Sequence, residues 1–289
     1  MIRHFKHPVR VVAVILLASL ALLAQRGRRG GFGGFGGFGG FGDASEGPEP
    51  TFKTDTEFHF IRGEYTDSPQ NRRGFGAFVS RRGRANGWWA QDWPDADEHF
   101  TQGVLRLTRV DAGDPRHLAL SDERLFDYPW VYMTQTAYWD LTPKEIAGLR
   151  EFLERGGFLV TDDFWGPYEW EIFQDTMERV LPNHPITDIA LDDSVMHVLY
   201  DIQQKDLTYI PGTRHLYCRG NGGCEVQQQG NSPAWRAMYD DKKHMVVAIN
   251  FNTDVGDAWE YADHPMYPEA MTTLAYRYGI NYLIYAMTH

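Results

Sequence analysis

Asp162, Asp163 and Trp165 are the residues whose types and spacing best suit chemistry. They follow Phe158-Leu159-Val160, a short apolar run that reads as a strand buried on both faces. They therefore stand at a strand's carboxyl end, where open α/β sheets bind ligands. Paired acids serve as general acid and base when their surroundings separate their pKa values. They also accept hydroxyl hydrogen bonds from a ligand, with Trp165 as a stacking surface for a sugar ring. Adjacent strand residues point to opposite faces, so the two aspartates are not each other's partner. A second buried run, Met245–Ile249, ends in Asn250, Asn252, Asp254, Asp257 and Trp259. If the two strands are parallel neighbours, these side chains converge on Asp162 and Asp163. Arg62, beyond the expected strand Glu57–Ile61, and Trp89 and Asp92 join the candidate ligand-binding set. A plainer reading competes: both acids cap the following helix, or pair with Arg62 or Arg109 inside the fold.

Other constellations are weaker. Asp92, Asp95 and Asp97 alternate as in calcium loops, but no glycine stands sixth and no glutamate twelfth, so this is not an EF-hand. His197 after Asp192-Asp193 reads as a satisfied structural histidine. Cys218 and Cys224 bracket Arg-Gly-Asn-Gly-Gly and, in an exported chain, read as a disulfide; two cysteines are too few for structural zinc. No Gly-x-Ser-x-Gly elbow, Walker loop or dinucleotide fingerprint occurs. No cofactor is expected.

The elements that position the acids begin at Asp140. Thr142, Pro143 and Glu145 form an N-cap, first helical residue and capping box. Ile146, Leu149, Phe152 and Leu153 recur at helical spacing, and Gly156-Gly157 ends the helix before the strand. Further strands are expected at Leu118–Leu120, Trp130–Met133 and Ile186–Leu191. Trp235–Tyr239 and His244–Phe251 flank a turn and read as a hairpin. Helices are expected after Asp95 (as cap), over 168–181, and over 268–287.

The 289-residue chain has a formal charge of −11, while residues 1–42 hold six cations and no acid. The acidic remainder is a poor nucleic-acid binder and suits neutral or cationic ligands, or metal ions. Residues 1–24 read as a secretory signal, a basic start and the apolar run 11–24. Arg26, Arg28 and Arg29 leave open an uncleaved inner-membrane anchor, the one expected membrane contact. Residues 25–50, with their Gly-Gly-Phe repeats, are a flexible linker, and 51–289 form one domain. The arginine-rich stretch 71–87 reads as a surface insertion. The protein is expected to be exported, periplasmic or extracellular.

The stretches Phe58–Tyr65, Trp89–Asp97, Val104–Val110, Arg124–Met133 and LREFLERGGFLVTDDFWG closely resemble a bacterial family, domain of unknown function 4159, over about residues 55–285. That family resembles the class I glutamine-amidotransferase-like α/β superfamily, which includes trehalose-utilisation-type proteins. The resemblance implies a flavodoxin-like three-layer sandwich with a mostly parallel sheet, to which the hairpin is added. It implies no activity. The superfamily's nucleophile lies on a Gly-x-Cys-x-Gly turn, which this chain lacks, so glutaminase activity is not expected. Two functions stay open. One is a non-enzymatic domain that binds a ligand, such as carbohydrate, or a protein partner. The other is a carboxylate hydrolase of glycosides or related esters, pairing Asp162 or Asp163 with Asp92 or Asp254.

Overall fold

The computed structural model describes residues 51, 53–69, 78–80, 83–85, 87–217 and 232–289. The expected signal or anchor (1–24), the linker (25–50), the Cys218–Cys224 disulfide and most of the arginine-rich stretch lie outside the described residues.

In chain order the strands are β1 (Phe58–Glu64), β2 (Phe78–Ser80), β3 (Gly83–Ala85), β4 (Ala112–Ala119), β5 (Trp130–Thr134), β6 (Phe158–Asp162), β7 (Thr187–Asp188), β8 (Ala234–Tyr239) and β9 (Met245–Phe251). The helices are α1 (Asp95–Leu107), α2 (Pro143–Glu154), α3 (Gly166–Val180), α4 (Thr213–Tyr217), α5 (Val255–Glu260) and α6 (Glu269–Thr288). β2 and β3 pair separately. The main sheet runs β4-β1-β5-β6-β9-β8-β7. Its members from β4 to β9 are parallel, while β8 is antiparallel to both β9 and β7. Counting the parallel strands in chain order gives 2-1-3-4-5, the flavodoxin-like order. The β8–β9 hairpin is the expected addition.

Alternation along the strands sorts the core into two layers. Phe60, Tyr132, Phe158 and Val160 face α1, α5 and α6 through Phe100, Trp259, Tyr278 and Tyr282. Ile61, Val131, Met133 and Leu159 face α2 and α3 through Leu149, Phe152, Phe173 and Met177. Helices thus cover both faces, as continuous apolar strands require. No helix among the described residues is long and apolar enough to cross a membrane.

The helix before the site forms as its residues dictate. Thr142 Oγ1 accepts the Glu145 N–H at 3.3 Å, and a Glu145 carboxylate oxygen accepts the Thr142 N–H at 2.7 Å. Gly156, at φ 92, then turns the chain into β6.

Three local expectations are corrected. The strand foreseen at Leu118–Leu120 runs instead over Ala112–Ala119. Its Pro115 is tolerated because β4 is an edge strand. Ile186–Leu191 shrinks to the two exposed residues of β7, a short edge strand. Asp95 is not a cap: Pro94 holds that position, and no side-chain cap bond forms there.

Candidate functional site

β5, β6 and β9 lie side by side and parallel. Each is followed directly by a non-glycine residue with left-handed backbone: Gln135 (φ 52), Asp163 (φ 50) and Asn252 (φ 56). Asp92, after the short helical turn Trp88–Ala90, has the same conformation (φ 64). Each such residue costs about 1 kcal/mol or more, and such strain collects at functional sites. The turns are tied together. The Gln135 N–H donates to Asp162 C=O at 3.1 Å, and the Asn252 N–H to Phe164 C=O at 3.1 Å. Asn252 Oδ1 accepts the Gly166 N–H at 2.8 Å. Tyr65 Oη donates to the carbonyls of Thr134 and Gln135, at 3.0 and 2.9 Å.

This arrangement brings buried acids together. Asp162 Oδ2 accepts from Tyr132 Oη at 2.8 Å and from the Val255 and Gly256 N–H groups at 2.9 Å each. Its Oδ1 meets no donor. Burial pushes its pKa up to about 8, the Asp163 charge adds to this, and the Gly256 N–H opposes it. Asp163 Oδ1 accepts the Trp165 indole N–H at 2.5 Å, and its Oδ2 accepts from Gln135 Nε2. Asp92 Oδ1 accepts from Gln91 Nε2 at 2.5 Å, while Oδ2 meets no donor. Asp254 caps α5 by accepting the Asp257 N–H at 2.8 Å. Asp257 accepts the N–H and hydroxyl of Thr213 at 2.5 and 3.0 Å.

One carboxylate oxygen each from Asp92, Asp163 and Asp254 lies within 4.8 Å of the other two. Asp92, Asp257 and Glu260 form a second such group. Burial pushes Asp92 and Asp254 well above the carboxylate range. The negative neighbours Asp257 and Asp163 add to the shift at both. Glu260 shifts upward likewise, by burial and then by Asp92 and Asp257. Such a group invites a proton, a cation or a hydroxyl-bearing ligand.

Of the residues expected at the site, Asp92, Asp163 and Asp254 meet directly, and Asp162 braces them through β6 and α5. The condition set on β6 and β9 is met: they are parallel neighbours. Trp165 lies beside Asp163, but its ring packs edge-on against His215 at 4.2 Å. Arg62 is fully buried. It donates to Asp97 through Nε and Nη2 and to the Gln91 carbonyl at 3.0 Å, and sits 4.7 Å from the centre of the Tyr132 ring. Trp89 stacks on His117 at 5.3 Å, and Asn250 accepts from Tyr282 Oη at 3.0 Å. His197 is satisfied by Asp201 and by the Leu191 carbonyl, each at 2.5 Å.

The sequence did not point to Gln135, Tyr132 or Glu260. Tyr132 had a signal, since it stands two residues before the end of an apolar strand. Nothing in the sequence marks Gln135 as left-handed or Glu260 as a neighbour of Asp92.

A family model described as Domain of unknown function (DUF4159) matches residues 77–287. Comparison with curated proteins gives no match.

Proposed function

The chain belongs to the domain of unknown function 4159 family, and from its site we propose that it is an exported binding domain. Its ligand is polar, hydroxyl-bearing or cationic, and seats at the carboxyl ends of β5, β6 and β9. One observation carries the reading. Three adjacent parallel strands are each followed by a left-handed non-glycine residue, and these turns gather buried acids whose charges oppose one another. A stability-driven sequence would place glycine at such turns and would not bury acids together. The flavodoxin-like strand order supports the location, because ligands of such sheets bind outside the carboxyl ends of the strands.

The hydrolase reading, with Asp162 or Asp163 set against Asp92 or Asp254, has less support. Carboxyl groups that flank a glycosidic bond stand about 5–5.5 Å apart in retaining and 6.5–9.5 Å in inverting enzymes. Here one oxygen each from Asp92, Asp163 and Asp254 lies within 4.8 Å of the other two. Three acids that converge on one point, instead of two that face each other, favour sharing one ion or hydroxyl over straddling a sugar linkage.

The test is a melting-temperature panel on the full chain, wild type and Asp163→Asn, with neutral and acidic sugars, divalent metals and nucleotides. A ligand that binds only the folded state raises the midpoint by mass action. The expected result is a shift in the wild type that the variant loses. A flat panel with a normally folded variant would move the reading to a protein-interaction scaffold.

A further inference from the structure

We infer that Asp92, Asp163 and Asp254, with the amide oxygen of Gln135, coordinate a single hard divalent cation of the calcium or magnesium class. The inference rests on the binding reading above and narrows its ligand. Two oxygens bound to one calcium ion at about 2.4 Å each stand at most about 4.8 Å apart. The three aspartate oxygens satisfy that limit among themselves before any ligand arrives.

Three acids alone do not make a site. The independent observation is Gln135, which is 4 % exposed and whose Oε1 meets no donor. Its Nε2 donates to Asp163 Oδ2. Both atoms belong to one amide group, so Oε1 is held within a few ångströms of the carboxylate that Nε2 serves. A buried acceptor without a donor is costly, and amide carbonyls are ordinary ligands of hard cations. The backbone holds this glutamine in a conformation it otherwise avoids.

Two glycines keep the carboxylates close to the main chain. A Cβ at Gly256 would come within 2.9 Å of Asp92 Oδ2, the oxygen that meets no donor. A Cβ at Gly212 would come within 2.6 Å of Asp254 Oδ2. Arg62 directs its guanidinium to Asp97, outside this trio. The donor set is all oxygen, with neither sulfur nor imidazole, and so suits calcium, magnesium or manganese over zinc or copper.

The test uses the full chain stripped of metal by a chelator and titrated with Ca²⁺, Mg²⁺ and Mn²⁺ by calorimetry. Tb³⁺ luminescence excited through tryptophan reports the same site, because the Trp165 indole donates to Asp163 at 2.5 Å. The expected result is one high-affinity ion per chain, with sensitised emission displaced by Ca²⁺ or Mn²⁺. Asp163→Asn, Asp92→Asn and Gln135→Ala each weaken binding by about tenfold or more, since affinity follows the charge and number of ligands. Asp241→Asn, at an exposed acid of the β8–β9 turn, leaves it unchanged. Circular dichroism checks the fold of each variant. If Asp163→Asn does not fold, Asp92→Asn decides, because its Oδ2 has no donor to lose.

Equal affinities in the wild type and the three site variants would overturn the inference, as would no binding of any of the four ions. If a sugar then still shifts the melting midpoint in an Asp163-dependent way, the cation fails and the binding reading stands. If no ligand shifts it, both fail.

Discussion

Asp162, at the end of β6, accepts the N–H of Gly256, in the first turn of α5, at 2.9 Å. The Val255 N–H reaches the same oxygen at the same distance. The acid therefore caps a helix belonging to the neighbouring parallel strand, not the helix that follows it in sequence. α3, which does follow, has Trp165 at its N-cap and no side-chain cap bond. The carboxyl oxygen supplies an acceptor for N–H groups that the first turn of a helix leaves without an intrahelical partner. A tether between β6 and α5 fixes Asp163 and Asp254 on either side of it.

Asp162→Ala leaves three buried donors without an acceptor: Tyr132 Oη, Val255 N–H and Gly256 N–H. At about 1–3 kcal/mol for each unsatisfied group, the loss should reach about 3 kcal/mol or more. Asp162→Asn should cost less than about 1.5 kcal/mol. Burial pushes the pKa of the native carboxyl up to about 8, which favours its neutral form, and Asn keeps one acceptor oxygen. Urea midpoints at unchanged m-value measure both. Equal losses would mean that the negative charge, and not the acceptor, holds α5.

The parts of this architecture legible in the sequence are those set by local chemistry. Thr142, Pro143, Glu145 and Gly156-Gly157 define α2 and the entry to β6 without help from the rest of the chain. β9 is legible because a run buried on both faces has no alternation to hide. β4 is not, because Asp114, Pro115 and Arg116 interrupt it, and only pairing with β1 makes it a strand. At the site, Asp163 and Asp254 follow from being acids at strand ends. Gln135 does not, because its role comes from a backbone conformation that tertiary contacts impose. Arg62 was expected at the ligand; its partner Asp97 lies on α1, and side-chain pairing across 35 residues leaves no trace in sequence spacing.

The Arg62–Asp97 pair has both side chains fully buried. Arg62→Met should cost about 3–5 kcal/mol, because it strands a buried carboxylate. Arg62→Met combined with Asp97→Leu should recover most of that loss, since well-packed apolar groups often replace a buried pair at little cost. A double-mutant cycle by chemical denaturation reads the coupling. Additive losses would show that Arg62 acts through the Gln91 carbonyl and the Tyr132 ring instead of through Asp97.

Two glycines separate steric fit from backbone strain. A Cβ at Gly148 in α2 would come within 2.1 Å of the Leu120 carbonyl oxygen. Gly148→Ala should therefore destabilise by about 1–3 kcal/mol despite alanine's better helix propensity. At Gly156 a Cβ would meet nothing within 4 Å, but φ is 92. Gly156→Ala should cost only the strain, about 1–2 kcal/mol, and Gly156→Asn less. A neutral Gly148→Ala, read by thermal midpoint, would mean that α2 can lift off the β4–β5 connection.

His197 provides a pH test away from the acid cluster. Hydrogen bonds to Asp201 and then to the Leu191 carbonyl raise its pKa, and the same bond to His197 lowers that of Asp201. The histidine's contribution is fully present below its unfolded pKa of about 6.5 and is lost as pH rises through the folded value. The aspartate's is present above about 3.9 and is lost as pH falls through its lowered value. The pair is therefore strongest between about pH 4 and 6.5, and modest because it is exposed. NMR titration of the His197 ring should show the raised pKa, and Asp201→Asn should return it toward about 6.5. An unchanged titration in Asp201→Asn would assign the shift to the Leu191 carbonyl.

Asp163→Asn separates a structural acid from a functional one. Asparagine accepts the left-handed backbone as readily as aspartate. Its side-chain oxygen can still accept the Trp165 indole N–H, which reaches Oδ1 in the native protein. Its new amide hydrogens would face Gln135, and a flip of the Gln135 amide would turn the unpartnered Oε1 toward them. The substitution also removes one negative charge that raises the pKa of Asp92, Asp162 and Asp254. Stability should therefore stay level or rise while ligand binding falls, the usual trade where a residue is kept for function. Parallel measurement of the urea midpoint and the ion titration decides it. A clear loss of stability would make Asp163 a structural group, and the strained turn at the end of β6 would then serve the fold instead of a ligand.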